Sequence, residues 1–180
     1  MTRISPISRL TMVQCAMVFF FFAALSAPVL ADTIEWQSTA MACVPTGGTV
    51  EQNKYVTTAG RVKFKPGQSG RISFICPVSR PLPSGEYVLR GRIKTPIPDR
   101  FGISLQLRKA NNSSGNVSTV LSVNSVQTGN VSGFRFASSG QKAIDFDFVR
   151  DTYWVQISYR RDNAQGETLS ILSVQLIRLK

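Results

Sequence analysis

The chain has 180 residues, with 21 Lys and Arg against 10 Asp and Glu, a formal charge of +11, and no histidine. The missing histidine excludes Ser-His and Cys-His nucleophile pairs, and with them the commonest side-chain ligand of transition metals. So basic a balance favours anionic partners.

Residues 1–31 read as a cleavable signal peptide. Arg3 and Arg9 supply a positive leader, Met12 to Leu25 an apolar run, and Val29 and Ala31 the small residues expected three and one positions before a cut at Asp32. Thr11 to Ala31 is just long enough to span a membrane, but Gln14 and Pro28 sit inside it, which argues against an uncleaved anchor. Cleavage leaves one domain, residues 32–180. The leader takes two of the 21 basic residues and no acidic one, so 19 face 10 and the mature charge is +9. A domain of this size buries about 70% of the surface its unfolded chain exposes, enough for a core without metal or dense cross-linking.

Cys43 and Cys76 remain after the leader is removed. Exported chains use such pairs as structural bridges, whereas redox pairs sit close together as Cys-x-x-Cys. Closing this loop stabilises by about 3–4 kcal/mol in the chain-entropy account. The segment Met41 to Lys54 is irregular, after a less marked strand near Thr33 to Trp36.

Downstream, short alternating runs are divided by Gly, Pro, Asn and Ser clusters, the pattern of a β-sandwich or barrel. Arg61 to Lys65 places Val62 and Phe64 on one face. Pro66 to Gly70 is a turn, and Arg71 to Cys76 returns with Ile72, Phe74 and Cys76 aligned, which predicts a hairpin. Glu86 to Lys94 turns Tyr87, Leu89 and Ile93 inward and Arg90, Arg92 and Lys94 outward. Strands follow at Phe101 to Lys109, Val117 to Val123, Gly133 to Ala137, Ala143 to Phe148, Tyr153 to Tyr159 and Leu169 to Arg178. The expected fold is all-β: a two-sheet, jelly-roll-like sandwich with one disulfide.

The run Gly70-Arg71-Ile72-Ser73-Phe74-Ile75-Cys76-Pro77-Val78 is followed by Leu82-Pro83-Ser84-Gly85-Glu86-Tyr87-Val88-Leu89. The later strand Tyr153-Trp154-Val155-Gln156-Ile157 completes the set. Together they resemble a group of small exported β-sandwich proteins of Gram-negative bacteria that have no assigned activity. The resemblance implies a sandwich and export, and it carries over no catalytic residue.

Phosphate loops, dinucleotide fingerprints and Cys-x-x-Cys are absent from the sequence, so no cofactor is expected. Asp145 and Asp147, two apart on an expected strand and close to Asp151, leave three readings: a solvated strand face, a calcium site, or the paired acids of a glycan hydrolase. The basic set Arg61, Lys63 and Lys65 with Arg90, Arg92 and Lys94 makes a cationic surface if the two strands share a sheet; otherwise it is ordinary outer-face charge. Trp36, Tyr55, Tyr87, Tyr153, Trp154 and Tyr159 are either core or a stacking platform for sugar rings, with Trp154 the candidate carried forward. These residues point to an exported, periplasmic or extracellular, non-enzymatic binding module for an anionic or carbohydrate ligand, a glycan or a lipid headgroup. Export disfavours nucleic acid, and no membrane span remains after cleavage. A surface-assembly component and a carboxylate glycan hydrolase are the alternatives.

Overall fold

A computed structural model describes residues 32–46, 53–94, 101–124, 134–161 and 170–180, all within the unit Asp32–Lys180. The expected signal peptide, residues 1–31, lies outside the described residues. The elements are β1 (Thr33–Thr39), a single 3-10 turn (Ala40–Ala42), β2 (Val44–Pro45), β3 (Tyr55–Thr58), β4 (Arg61–Phe64), β5 (Gly70–Pro77) and β6 (Gly85–Lys94). They continue with β7 (Phe101–Asn111), β8 (Val117–Asn124), β9 (Phe134–Ser138), β10 (Lys142–Ile144), β11 (Asp151–Arg161) and β12 (Ser170–Leu179).

Two antiparallel sheets form from these strands. The seven-stranded sheet runs β10-β6-β12-β4-β3, with β1 also on β12 and β9 also on β6; the five-stranded sheet runs β2-β5-β11-β7-β8. The chain crosses repeatedly from one sheet to the other, and the result is the expected jelly-roll-like sandwich. Alternation places the core between them. On β11, Tyr153, Val155, Ile157 and Tyr159 are buried; on β6, Tyr87, Leu89 and Ile93 face them from the other sheet. Gly91 continues the inward row of β6, and a Cβ there would lie 2.3 Å from Leu105 Cδ1 of β7. A glycine at this point lets the two sheets close.

The disulfide forms as expected, with Cys43 and Cys76 Sγ atoms 2.00 Å apart and their Cα atoms 4.3 Å apart. It ties the chain just before the edge strand β2 to β5 of the same sheet.

Three expectations need correction. Val62-Phe64 and Ile72-Phe74-Cys76 do not form a hairpin: β4 pairs with β3 and β12, while β5 pairs with β2 and β11. Pro66 and Gly67, the latter at φ 73°, form the turn expected, with Gln68 N–H donating to Lys65 O at 3.2 Å. This turn carries the chain across the core to the opposite sheet. Both apolar rows face one core, so alternation cannot distinguish strands that pair from strands that oppose each other.

The strand expected over 143–148 ends at Ile144. Phe146 and Phe148 leave the ladder to pack edge-on and tilted against Tyr153 at 5.0 and 4.9 Å between ring centroids. In the Met41 to Lys54 stretch, the two-residue β2 is held by Val44 opposite Ile75 and Pro45 opposite Phe74; β3, just beyond, carries no marked alternation and was not expected.

Candidate ligand-binding faces

The cationic residues meet on the outer face of the seven-stranded sheet. Val62 and Phe64 take the core positions of β4, so Arg61 and Lys63 point outward; Leu89, Gly91 and Ile93 do the same for Arg90, Arg92 and Lys94 on β6. Only β12 separates the two strands, and its Ser170 is opposite Lys63 on one side and Lys94 on the other. Lys65 stands apart: it follows the end of β4 and its Nζ donates to Asn53 Oδ1 at 2.6 Å.

Two aromatic residues that the sequence reading passed over complete this face. β9 pairs with β6 so that Phe134 is opposite Lys94 and Phe136 opposite Arg92. Arg61 Cζ lies 4.5 Å and Arg92 Cζ 5.5 Å from the Phe134 ring centroid, and Arg90 Cζ lies 5.5 Å from that of Phe136. Arg90 Nε also donates to Ser138 Oγ at 3.3 Å. Phe136 is 56% exposed, high for an aromatic side chain on a sandwich strand. Each cation–aromatic contact at an exposed site contributes about 0.5–1 kcal/mol.

Among the described residues the ion pairs are Lys109–Asp151, Arg150–Asp147 and Arg178–Glu35; none includes Arg61, Lys63, Arg90 or Arg92. Since Arg61 and Arg92 share one ring, at 4.5 and 5.5 Å from its centroid, their guanidinium carbons are within the sum of those distances, 10 Å. That separation is comparable with the screening length of about 8 Å at physiological salt, so the two charges still repel.

Trp154 is not part of this surface. Its neighbours Tyr153 and Val155 are buried, so Trp154 points out from β11 on the opposite, five-stranded sheet. Arg108 of β7 is its cross-strand partner, with Cζ 6.0 Å from the indole ring and Nη1 donating to Gln156 Oε1 at 2.7 Å. The expected site thus divides between two outer faces. Of the other aromatic candidates, Trp36, Tyr87, Tyr153 and Tyr159 are core residues, and Tyr55 packs edge-on against Phe74 at 5.0 Å.

The acids do not share a strand face. Asp145 accepts from Ser84 Oγ. Asp147 caps a turn, its Oδ1 accepting from Val149 N–H and Arg150 N–H at 3.0 Å each. Asp151 is buried on β11 and accepts from Lys109 Nζ at 2.6 Å, Asn111 Nδ2 at 3.4 Å and Tyr153 Oη at 3.3 Å. The Lys109 hydrogen bond, acting against desolvation, holds the Asp151 carboxyl below its ordinary range; the same bond raises Lys109. Among the described residues no group of three or more metal-ligating side chains could hold a metal ion. Each of these three carboxylates accepts hydrogen bonds from within the protein.

No family model matches the chain, and no curated protein matches it. Its likeness to solved structures is distant. A xylan-binding module, CBM15, has a TM-score of 0.40 at 16% identity over 70% of this chain and 82% of its own. The potassium-bound carbohydrate recognition domain of Emp46p gives 0.41 at 11% identity, over 75% of this chain and 95% of its own. The carbohydrate-binding module CBM6cm-2 of Cellvibrio mixtus lichenase 5A, in complex with cellotriose, gives 0.37 at 11% identity, over 84% and 98%. These likenesses are too distant to transfer a ligand or a site.

Proposed function

We propose that the protein is an exported, non-enzymatic binding module for an anionic carbohydrate of the cell envelope or its surroundings. In this reading the outer face of the seven-stranded sheet holds the ligand. The observation that carries it is the row Arg61, Phe134, Arg92, Phe136 and Arg90, in which guanidinium groups alternate with phenyl rings and none of the arginines is ion-paired among the described residues. Contact with the rings restrains the arginine side chains, so less side-chain entropy is left to lose when a carboxylate or sulfate binds in their fork. An anion between Arg61 and Arg92 would also relieve their mutual repulsion. The exposed face of Phe136 supplies apolar area against which the C–H face of a sugar can lie. A simple anion would use the charges but not the ring, whereas an acidic glycan uses both.

Titration with polygalacturonate and dextran sulfate, with neutral dextran as control, tests this reading. Affinity for the acidic polymers should fall steeply as salt rises and be largely gone near 1 M, where the screening length is about 3 Å. Arg61→Ser with Arg92→Ser should weaken binding at low salt while costing under about 2 kcal/mol of stability, two exposed cation–aromatic contacts. Equal affinity at low and high salt, or full binding by the double variant, would refute it.

A further inference from the structure

The outer face of the five-stranded sheet carries a different chemistry in ordered rows. Trp154 lies opposite Arg108, Gln156 opposite Gln106, and Ser158 opposite Ser104. Ring, amides and hydroxyls therefore succeed one another along β11 and β7. Beyond the serines is an open hollow of about 140 Å³ whose lining includes Ser104, Ser158 and Asn124 together with Arg71 and Arg160. No carboxylate points out from β11 or β7 on this side, and Arg108 is turned onto Gln156.

We propose that this face is a second carbohydrate site, separate from the cationic one, which takes an uncharged glycan chain lying along β11 with one sugar ring on Trp154. The proposal goes beyond the anionic-glycan reading and stands if that reading fails. Three features of the face select this ligand. An indole offers a flat apolar surface, which suits the C–H face of a pyranose. The amide and hydroxyl rows can donate and accept, as a ligand covered in hydroxyl groups requires. The third feature is shape: Ser158 is four positions along β11 from Trp154, about 13 Å at the usual rise, so the rows fit a chain and not a single sugar. The hollow is well below the 300–1,000 Å³ of pockets that enclose a ligand, so such a chain is gripped from one side.

Two donors on this face await an acceptor. The Trp154 Nε1–H and Arg108 Nε–H are buried and find none among the described residues. Folded proteins seldom leave such groups unmatched. A ligand rich in oxygen supplies the acceptors once Arg108, tethered through Gln156, swings off the ring. Lipid tails would leave the amide and serine rows unsatisfied, and an added peptide strand would need the free backbone groups that the interior strands of this sheet have already paired.

The experiment reads Trp154 directly. The chain has two tryptophans, and Trp36 is buried in the core, so the indole N–H signal of Trp154 in the unaltered protein, followed by NMR, reports on this face alone; Trp36→Phe allows the same reading by fluorescence. The probes are neutral hexasaccharides of glucose, xylose, mannose and galactose, added in 1 M salt to silence the cationic face. At least one should move the Trp154 signal saturably. Trp154→Ala should weaken that binding by about tenfold or more, and Arg61→Ser with Arg92→Ser should leave it unchanged. The proposal is overturned if no hexasaccharide moves the signal at millimolar concentration, if Trp154→Ala binds as well as the parent, or if neutral binding is lost only in the arginine variant. Failure of the unaltered protein to bind the acidic polymers at low salt, with neutral binding intact, refutes the other reading alone.

Discussion

Single atoms decide two features of this molecule. At Gly91 the space for a Cβ is taken by Leu105 Cδ1, and both residues are in the core. Gly91→Ala should therefore cost about 1–3 kcal/mol, the usual penalty of overpacking. Leu105→Ala alone should cost about 2–5 kcal/mol. In the double variant the new methyl occupies part of the space the leucine left, so urea unfolding should give less than the sum of the two costs. Asp151 is the second. Its carboxyl is held low by the Lys109 hydrogen bond, so its contribution to stability is complete above the ordinary aspartate value near 3.9 and is lost as pH falls through its depressed folded value. Lys109, raised by the same bond, contributes fully below its ordinary value near 10.4 and loses this only as pH rises through its higher folded value. Thermal melts should show Asp151→Asn less stable than the parent at pH 7, with the gap narrowing below about pH 4; a gap independent of pH would contradict the pairing. Neither feature was legible in the sequence. Gly91 has no side chain to mark its side of the strand and the residue above it belongs to another strand, and Asp151 read as a companion of Asp145 and Asp147 because Lys109 is 42 residues away.

At the scale of elements, alternation located most of the strands and oriented the informative ones: Arg90, Arg92 and Lys94 point outward as expected. What it could not supply was partnership. Two consecutive alternating strands around a Pro-Gly turn can be joined in one sheet or face each other across the core, and β4 and β5 take the second course. The same ignorance hid Phe134 and Phe136. Phe-Arg-Phe places both rings on one side of β9, but only the pairing of β9 with β6 sets them beside the arginines. The disulfide was legible because two cysteines in the expected mature chain leave a single intramolecular pairing, and its task can now be stated. β2 is two residues long and, among the described residues, pairs with β5 at Ile75 and Phe74, with Thr46 N–H donating to Ser73 O at 2.9 Å. β5 is held independently along β11 from Gly70 to Pro77. Reduction should thus release β2 first. Hydrogen exchange should show the Thr46 amide losing protection on reduction while Ile157, in mid-β11, keeps it; parallel loss at both would mean the bridge holds the whole sheet.

The sandwich as a whole gives the protein two outer surfaces with different physics. One combines arginines and phenyl rings, and its proposed ligand contact weakens with salt. The other combines an indole with amides and hydroxyls, and its proposed contact is insensitive to salt. The sequence supplied both groups of residues but joined them into one site, because charge and aromatic content are read along a chain and the division between sheets is not. The charge of +9 carried by residues 32–180 is consistent with either surface lying near an acidic glycan, and it does not say which face binds. The direct test is to follow backbone amide shifts by NMR as a short galacturonate oligosaccharide is titrated into the protein at low salt. The account predicts that the shifts cluster on β4, β6 and β9, around Arg61, Arg92 and Phe136, and disappear at 1 M salt. Shifts confined to β5, β7 and β11, or shifts that persist at 1 M, would contradict it.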